Sequence, residues 1–346
     1  MAKRRGTRRL PSGRAAADHP HGSGPRNEAE RRRDLARHAG TEPLSTHPDP
    51  LDTSKLGEIV AAGIRTRTYV DGDPHNDTIV LLHGGDFGHD TSLDCFSFVL
   101  PMFAAHHRVV AFDRLGQGYT DNPPDDSGFT IDALMEHTHA VLDALCPGPV
   151  HLVGHSRGGF VATRVAIERP DRVRSLTIVD SNTTAPEDPT FPSGRFYREL
   201  EARMPPGPPS LESVRIEPEA QAYDQSCVTP EFLERMLAVA QLPIREDGAR
   251  RLATADGEIW RPSLDARRKA TLQTFDTDGI PVPTLILWSR DDPSAPLRLG
   301  HALYDRVAPT TTDARFHVLN RSGHYPFRDR PTAFVAAVES FVQSLT

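Results

Sequence analysis

From about residue 56 onward, short apolar runs alternate with stretches of helical periodicity. Thr78-Ile79-Val80-Leu81-Leu82, Arg108-Val109-Val110-Ala111-Phe112, Val150-His151-Leu152-Val153 and Ser175-Leu176-Thr177-Ile178-Val179 are each too short for a helix and too uniformly apolar for a half-exposed strand. They read as strands buried on both faces, the pattern of a parallel sheet. A helical pattern covers Ile131 to Leu145, another follows Phe160, and Leu56–Val60 with Thr66–Val70 predicts an opening antiparallel pair. This alternation predicts an α/β fold with a mostly parallel, doubly wound sheet.

The alternation breaks after residue 182. Residues 183–270 carry many prolines and helix-like stretches without a convincing buried strand, which predicts a helical cap inserted into the sheet domain. Its best-signalled helix has Thr229 as N-cap, Pro230 in the first turn, and Phe232, Leu233, Met236, Leu237 and Ala240 on one apolar face. Strand patterns resume at Thr284–Trp288 and Phe316–Leu319, and a helix presenting Phe334, Val338, Phe341 and Val342 closes the chain. The predicted organisation is therefore 1–50, 51–182 (first part of the core), 183–270 (cap) and 271–346 (second part of the core).

Composition narrows the function classes. The chain has 346 residues, 37% hydrophobic, with a formal net charge of -7. Residues 1–40 hold eleven Lys/Arg against four acids, about +7, which leaves about -14 on the remainder. An acidic body excludes nucleic acid as the expected main ligand, and the basic Gly/Pro/Ala-rich head reads as a disordered extension. Arg4-Arg5 and Arg8-Arg9 are followed by no apolar segment, and no run approaches the roughly 20 residues that span a bilayer, so neither secretion nor membrane insertion is expected. Cys95, Cys146 and Cys227 lack metal-ligand spacing and predict reduced thiols in a cytoplasmic protein. No His-Glu-x-x-His, Cys-x-x-Cys or phosphate-binding glycine loop occurs, so no metal or cofactor is expected. The expected partner is a small molecule, and a homodimer is the candidate assembly.

The chemistry sits where strands end. Gly154-His155-Ser156-Arg157-Gly158-Gly159 lies between a buried strand and a helix, where a tight turn exposes a serine hydroxyl above a helix N-terminus. A serine needs a base, and the base needs orientation. His324, after the last strand, is the candidate base. Asp292, after the preceding strand, is the candidate orienting acid, with Asp291 and Asp180 as competitors. Attack on a carbonyl develops an oxyanion, for which the backbone N–H groups of Gly85 and Arg157 are the candidate donors, Asp86 being an alternative for the first. His83 reads as a brace for that loop. Asp113-Arg114-Leu115-Gly116-Gln117-Gly118 departs from the dinucleotide pattern and reads as a turn shaping the sheet's rim.

His83-Gly84-Gly85, Asp113-x-x-Gly116-x-Gly118, Gly154-His155-Ser156-x-Gly158-Gly159, Asp292-x-x-x-Pro296 and Gly323-His324-x-Pro326 occur in the order found in the α/β-hydrolase superfamily, which the chain resembles from about residue 55 to its end. The resemblance implies the α/β-hydrolase fold and a Ser-His-Asp hydrolase. Within it, Asp224–Arg235 is loosely similar to a cap helix of the meta-cleavage-product hydrolases, which split carbon–carbon bonds in vinylogous diketones. That likeness implies a guanidinium for a substrate carboxylate, with Arg235 (one position early) and Arg198 as candidates, and a substrate-facing role for Tyr325, where many members have tryptophan. His155 stands where those enzymes usually have asparagine. Carboxylester or lactone hydrolysis is the alternative chemistry, and a ligand-binding or regulatory protein with little turnover is the alternative of another class.

Overall fold

The computed structural model describes residues 49–191 and 194–345; the predicted head at 1–50 lies almost wholly outside the described residues. Eight strands form one sheet: β1 (Leu56–Ala61), β2 (Ile64–Asp71), β3 (Thr78–Leu82), β4 (Arg108–Phe112), β5 (Val150–His155), β6 (Val173–Val179), β7 (Thr284–Ser289) and β8 (Ala314–Leu319). Their order is β1-β2-β4-β3-β5-β6-β7-β8. β1 and β2 pair antiparallel, β2 joins β4 antiparallel, and every later pairing is parallel.

Strand alternation feeds two cores. Val80, Leu82, Val110, Phe112, Leu152, Ile178 and Ile286 face one side, while Ile79, Leu81, Val109, Ala111, Val153, Val179 and Leu287 face the other. On the first side pack α2 (Ile131–Leu145), α3 (Arg157–Glu168) and α10 (Leu297–Val307); on the second, α1 (Leu100–Ala104) and α12 (Pro331–Gln343). Thr130 caps α2 by accepting the N–H of Ala133 at 3.1 Å.

Register decides where function can sit. Leu82 pairs with Gly154, His155 with Val179, Val179 with Leu287, and Ser289 with Leu319. The C-terminal ends of β3, β5, β6, β7 and β8 therefore reach one rim. The chain crosses from β3 to β4 on one side and returns through α2 to β5 on the other, so the crevice between β3 and β5 is the sheet's switch point, where open α/β sheets bind ligands.

Between β6 and β7 the chain runs through α4 (Gly194–Glu201), α5 (Leu211–Val214), α6 (Ile216–Gln221), α7 (Pro230–Ala240), α8 (Pro243–Ala255), a π-helical turn at Asp256–Trp260 and α9 (Arg261–Thr277), with no strand among its described residues. Thr229 caps α7 by accepting the N–H of Phe232 at 3.2 Å, with Pro230 first in the helix. α9 continues past residue 270 because Leu264, Thr271 and Phe275 are buried, the apolar ones in the first core. No helix among the described residues is long and apolar enough to cross a membrane.

One buried cation ties the insertion to the core. Arg328, in α11 (Pro326–Asp329), donates to the Cys227 carbonyl (2.8 Å) and Ser97 Oγ (3.0 Å) and pairs with Asp49 at 3.0 Å. Its guanidinium lies between the rings of Phe98 and Phe232, 4.3 and 3.9 Å from their centroids. Arg328→Met leaves the Asp49 carboxylate with one fewer partner in a dry site. The expected loss is about 3–5 kcal/mol in urea unfolding; an unchanged midpoint would show that this cluster does not hold the insertion.

Candidate active site

The β5–α3 turn places Ser156 at φ 53°, ψ -123°, a conformation that costs of order 1–3 kcal/mol and persists only where neighbours impose it. Its N–H donates to the Val179 carbonyl at 2.8 Å, and its own carbonyl accepts from Gly159 N (2.9 Å) and Ser181 Oγ (2.6 Å). The flanking glycines are required by proximity rather than by torsion. A Cβ on Gly154 would stand 2.4 Å from the Gly158 carbonyl oxygen, and one on Gly158 would stand 2.3 Å from that of Leu82. The first turn of α3 is thus pressed onto the end of β3, and the serine is lifted to the rim.

Asp292 and His324 meet at the same rim. His324 Nδ1 lies 2.6 Å from Asp292 Oδ2, and both are buried. The other carboxylate oxygen accepts Ser294 N (2.7 Å), Ala295 N (2.8 Å) and Ser294 Oγ (2.9 Å). Four donors on one carboxylate fix its orientation. With Nδ1 donating, Nε2 is the free base. The His324 backbone is held twice: its N–H donates to the Gln221 carbonyl at 2.8 Å, and its carbonyl accepts from His155 Nε2 at 2.7 Å. His155 precedes Ser156 in the chain, and its ring centroid is 4.5 Å from that of His324. Among the described residues no hydrogen bond joins Ser156 Oγ to His324 Nε2; in unliganded sites such bonds are often long.

The competing acids are engaged elsewhere. Asp291 Oδ2 accepts the N–H of Arg321 at 3.1 Å. Asp180 binds Ser289 through N (2.7 Å) and Oγ (2.8 Å), and burial followed by the nearby Asp292 pushes its carboxyl well above the ordinary range. The geometry therefore gives His324 to Asp292.

The loop after β3 forms the facing wall. His83 donates from Nδ1 to the Gly84 carbonyl (2.8 Å) and accepts the Arg114 N–H at Nε2 (3.2 Å). A Cβ on Gly84 would lie 2.9 Å from Ser156 Cβ, so this loop closes directly over the nucleophile. Among the described residues no acceptor meets the N–H of Gly85 or of Arg157, the first residue of α3. The Arg157 side chain pairs with Asp86 through Nε and Nη2, both at 2.9 Å, strapping the two walls together. In the rim turn, Asp113 accepts the N–H groups of Leu93 (2.7 Å) and Tyr119 (2.9 Å), an inward staple that leaves no cradle for a phosphate.

The substrate-side candidates divide. Tyr325 is buried beside the base, its ring 5.8 Å from that of His324, and burial followed by Glu217 raises its hydroxyl well above the usual value. Arg235 Nη2 instead lies 2.7 Å from the fully buried Asp49 carboxylate, and its Nε is 3.7 Å from Asp94, so it is already engaged by two carboxylates that it shares with Arg328 and Arg67. Arg198 is exposed on α4. Sequence reasoning missed the His89–Glu217 pair. His89 Nε2 lies 3.0 Å from Glu217 Oε2 on the wall of a cavity of about 660 Å³ between the β3 loop and the insertion. Burial disfavours the charged imidazole, but Glu217 and Asp90 more than offset it and His89 is raised well above the usual value. Its only signal was a histidine beside an acid in a glycine-rich loop. Among the described residues no group of three His, Cys, Asp or Glu could hold a metal.

Comparison with known proteins follows the same lines. A model described as the alpha/beta hydrolase family matches residues 79–338. The 2-hydroxymuconate semialdehyde hydrolase of Pseudomonas sp. (strain CF600) is 29% identical over 294 residues, 85% of this chain and 96% of that protein. The 2-hydroxy-6-oxo-2,4-heptadienoate hydrolase of Pseudomonas putida is 28% identical, covering 84% of this chain and 97% of that one. Among solved structures, the meta-cleavage product hydrolase CumD from Pseudomonas fluorescens IP01 superposes with a TM-score of 0.67 at 24% identity, over 85% of this chain and 100% of that one. A lipase-like structure from Acinetobacter baumannii AYE gives 0.65 at 20%, over 84% and 91%; at such identities the likeness is one of fold.

Four interior histidines make the fold acid-sensitive. Burial holds His137 and His151 down to about 4, and holds His83 and His155 well below their ordinary value. Because the folded values lie below the unfolded 6.5, the associated stability is full above pH ~6.5 and is lost as pH falls toward about 4. The thermal midpoint should fall through that window, and His151→Asn should remove about 1–2 kcal/mol of the acid loss. A flat profile between pH 7 and 4 would contradict the neutral interior.

Proposed function

The chain belongs to the alpha/beta hydrolase family, and from that premise we propose that it is a serine hydrolase acting on a small, largely apolar carbonyl substrate. One observation carries the reading: His324 Nδ1 sits 2.6 Å from Asp292 Oδ2 while the same residue's carbonyl is tied to the chain neighbour of Ser156. Ser156 Oγ passes its proton to His324 Nε2 and bonds to the carbonyl carbon. The Gly85 and Arg157 amides receive the oxyanion. The oxyanion then collapses, the bond to the leaving group breaks, and the leaving atom takes the proton from the imidazolium. Water, giving its proton to His324, releases the acyl group as an acid and restores the serine.

The names of the relatives support a carbon leaving group, that is, hydrolysis of a carbon–carbon bond in a meta-cleavage-type dienoate. Ester or lactone hydrolysis is favoured by a different observation. A dienoate carboxylate needs a cation, and Arg235 is already paired with Asp49 while Arg198 is exposed. The two chemistries share the serine step and differ in the leaving atom.

Ser156→Ala should lower turnover by roughly four to six orders of magnitude, measured on purified protein against a panel of p-nitrophenyl esters, lactones and dienoates. Dienoate turnover with little ester activity selects carbon–carbon cleavage. Near-normal turnover by the alanine variant, or failure of a fluorophosphonate to label Ser156 in the wild type, would remove the serine-hydrolase reading in favour of a ligand-binding protein.

A further inference from the structure

Arg114 is fully buried, and among the described residues no carboxylate forms an ion pair with it. Its Nη2 donates to the Gly84 carbonyl (2.8 Å) and the Gly85 carbonyl (2.7 Å), while Nε and Nη1 have no hydrogen-bond partner among the described residues. Burial holds its pKa down to about 9, still cationic at neutral pH. An uncompensated guanidinium in a dry interior is costly and calls for a reason.

Peptide geometry supplies one. In a trans peptide the C=O and the following N–H point in opposite directions. Both carbonyls of the loop turn toward Arg114, so the N–H groups of Gly85 and Asp86 turn away from it. Gly84, the first residue of this segment, is the one whose added Cβ would lie 3.4 Å from Ser156 Oγ. The same loop is braced from His83, whose Nε2 accepts the Arg114 backbone N–H at 3.2 Å, so side chain and main chain of one residue hold it at two points.

We infer that Arg114 is the positioning residue of the oxyanion site: its guanidinium holds the Gly84 and Gly85 carbonyls on the inner side and so presents the Gly85 N–H, the donor that works with that of Arg157, to the charge that develops above Ser156. Its positive charge lies behind those peptides and polarises them in the direction that strengthens their donation. This rests on the serine-hydrolase reading and deepens it. The rim turn supplies no phosphate site; it supplies the support of the oxyanion loop.

The test uses the full chain and three variants, Arg114→Met, Arg114→Gln and Arg114→Lys, with Ser156→Ala as reference. Steady-state kcat and KM are measured with p-nitrophenyl acetate, alongside the rate of fluorophosphonate labelling and the thermal midpoint. Expected is a loss of about 100-fold or more in kcat and in labelling rate for Arg114→Met, with KM within about threefold, the signature of a lost oxyanion donor. Arg114→Lys should recover to within about tenfold of wild type, with Arg114→Gln between the two. If Arg114→Met does not fold, the lysine-to-glutamine ratio in kcat reads the same effect. Folded Arg114→Met with kcat within threefold of wild type overturns the assignment, as does Arg114→Lys no better than Arg114→Gln. A wild type that neither turns over the ester nor labels at Ser156, or a Ser156→Ala variant that stays active, fails the parent reading instead and takes this one with it.

Discussion

Everything at the rim depends on how closely α3 approaches the end of β3. At Gly158 there is room for a hydrogen and nothing more, since a Cβ would stand 2.3 Å from the Leu82 carbonyl oxygen and 2.4 Å from that of His83. That contact puts the N-terminus of α3 beneath the serine and brings the β3 loop over it. The unfavourable torsion at Ser156 follows from the same compression, and the sheet bears its cost through two buried cores. A helix packed one side chain farther away would leave the hydroxyl, the imidazole and the loop amides too far apart to act together.

The electrostatics are graded around this contact. Asp292 collects four donors, one of them from His324. Asp180, with two contacts from a single serine in a dry site, is driven toward its neutral form. The two carboxylates have separate partners: Asp292 meets His324, and Asp180 meets Ser289. On the opposite wall Arg114 binds the Gly84 and Gly85 carbonyls and Arg157 pairs with Asp86, while His89 pairs with Glu217 at the cavity.

The sheet was legible because a run such as Thr78–Leu82 has few other ways to satisfy its backbone, and the candidate groups of the site because each follows the end of a strand. Ser156, Asp292 and His324 carried the further signal of flanking glycine and proline. The guanidiniums were not legible. Arg235 stands on a well-predicted helix, but its partner Asp49 comes from a segment without periodicity, so no pattern could reveal that the two are paired. Arg114 sits in a turn of glycines and polar residues that looks exposed in the sequence. Only the fold buries it, because β4 delivers it to the inside of the β3 loop. His89 and Glu217 are 128 positions apart and meet only through the insertion. The expected cap boundary at 270 falls within α9, which runs on to Thr277 with Thr271 and Phe275 buried.

The segment leaving α6 is seated on the loop that carries the base. The Gln221 carbonyl receives the His324 N–H, Tyr223 and Asp224 donate to Asp329 at 3.1 Å each, and a side chain at Gly323 would strike Gln221 at 2.0 Å. The insertion is therefore bonded into the loop that carries His324 and is not an independent module. A substitution in the segment after α6 therefore reaches the His324 backbone directly, through the Gln221 carbonyl and the close approach at Gly323.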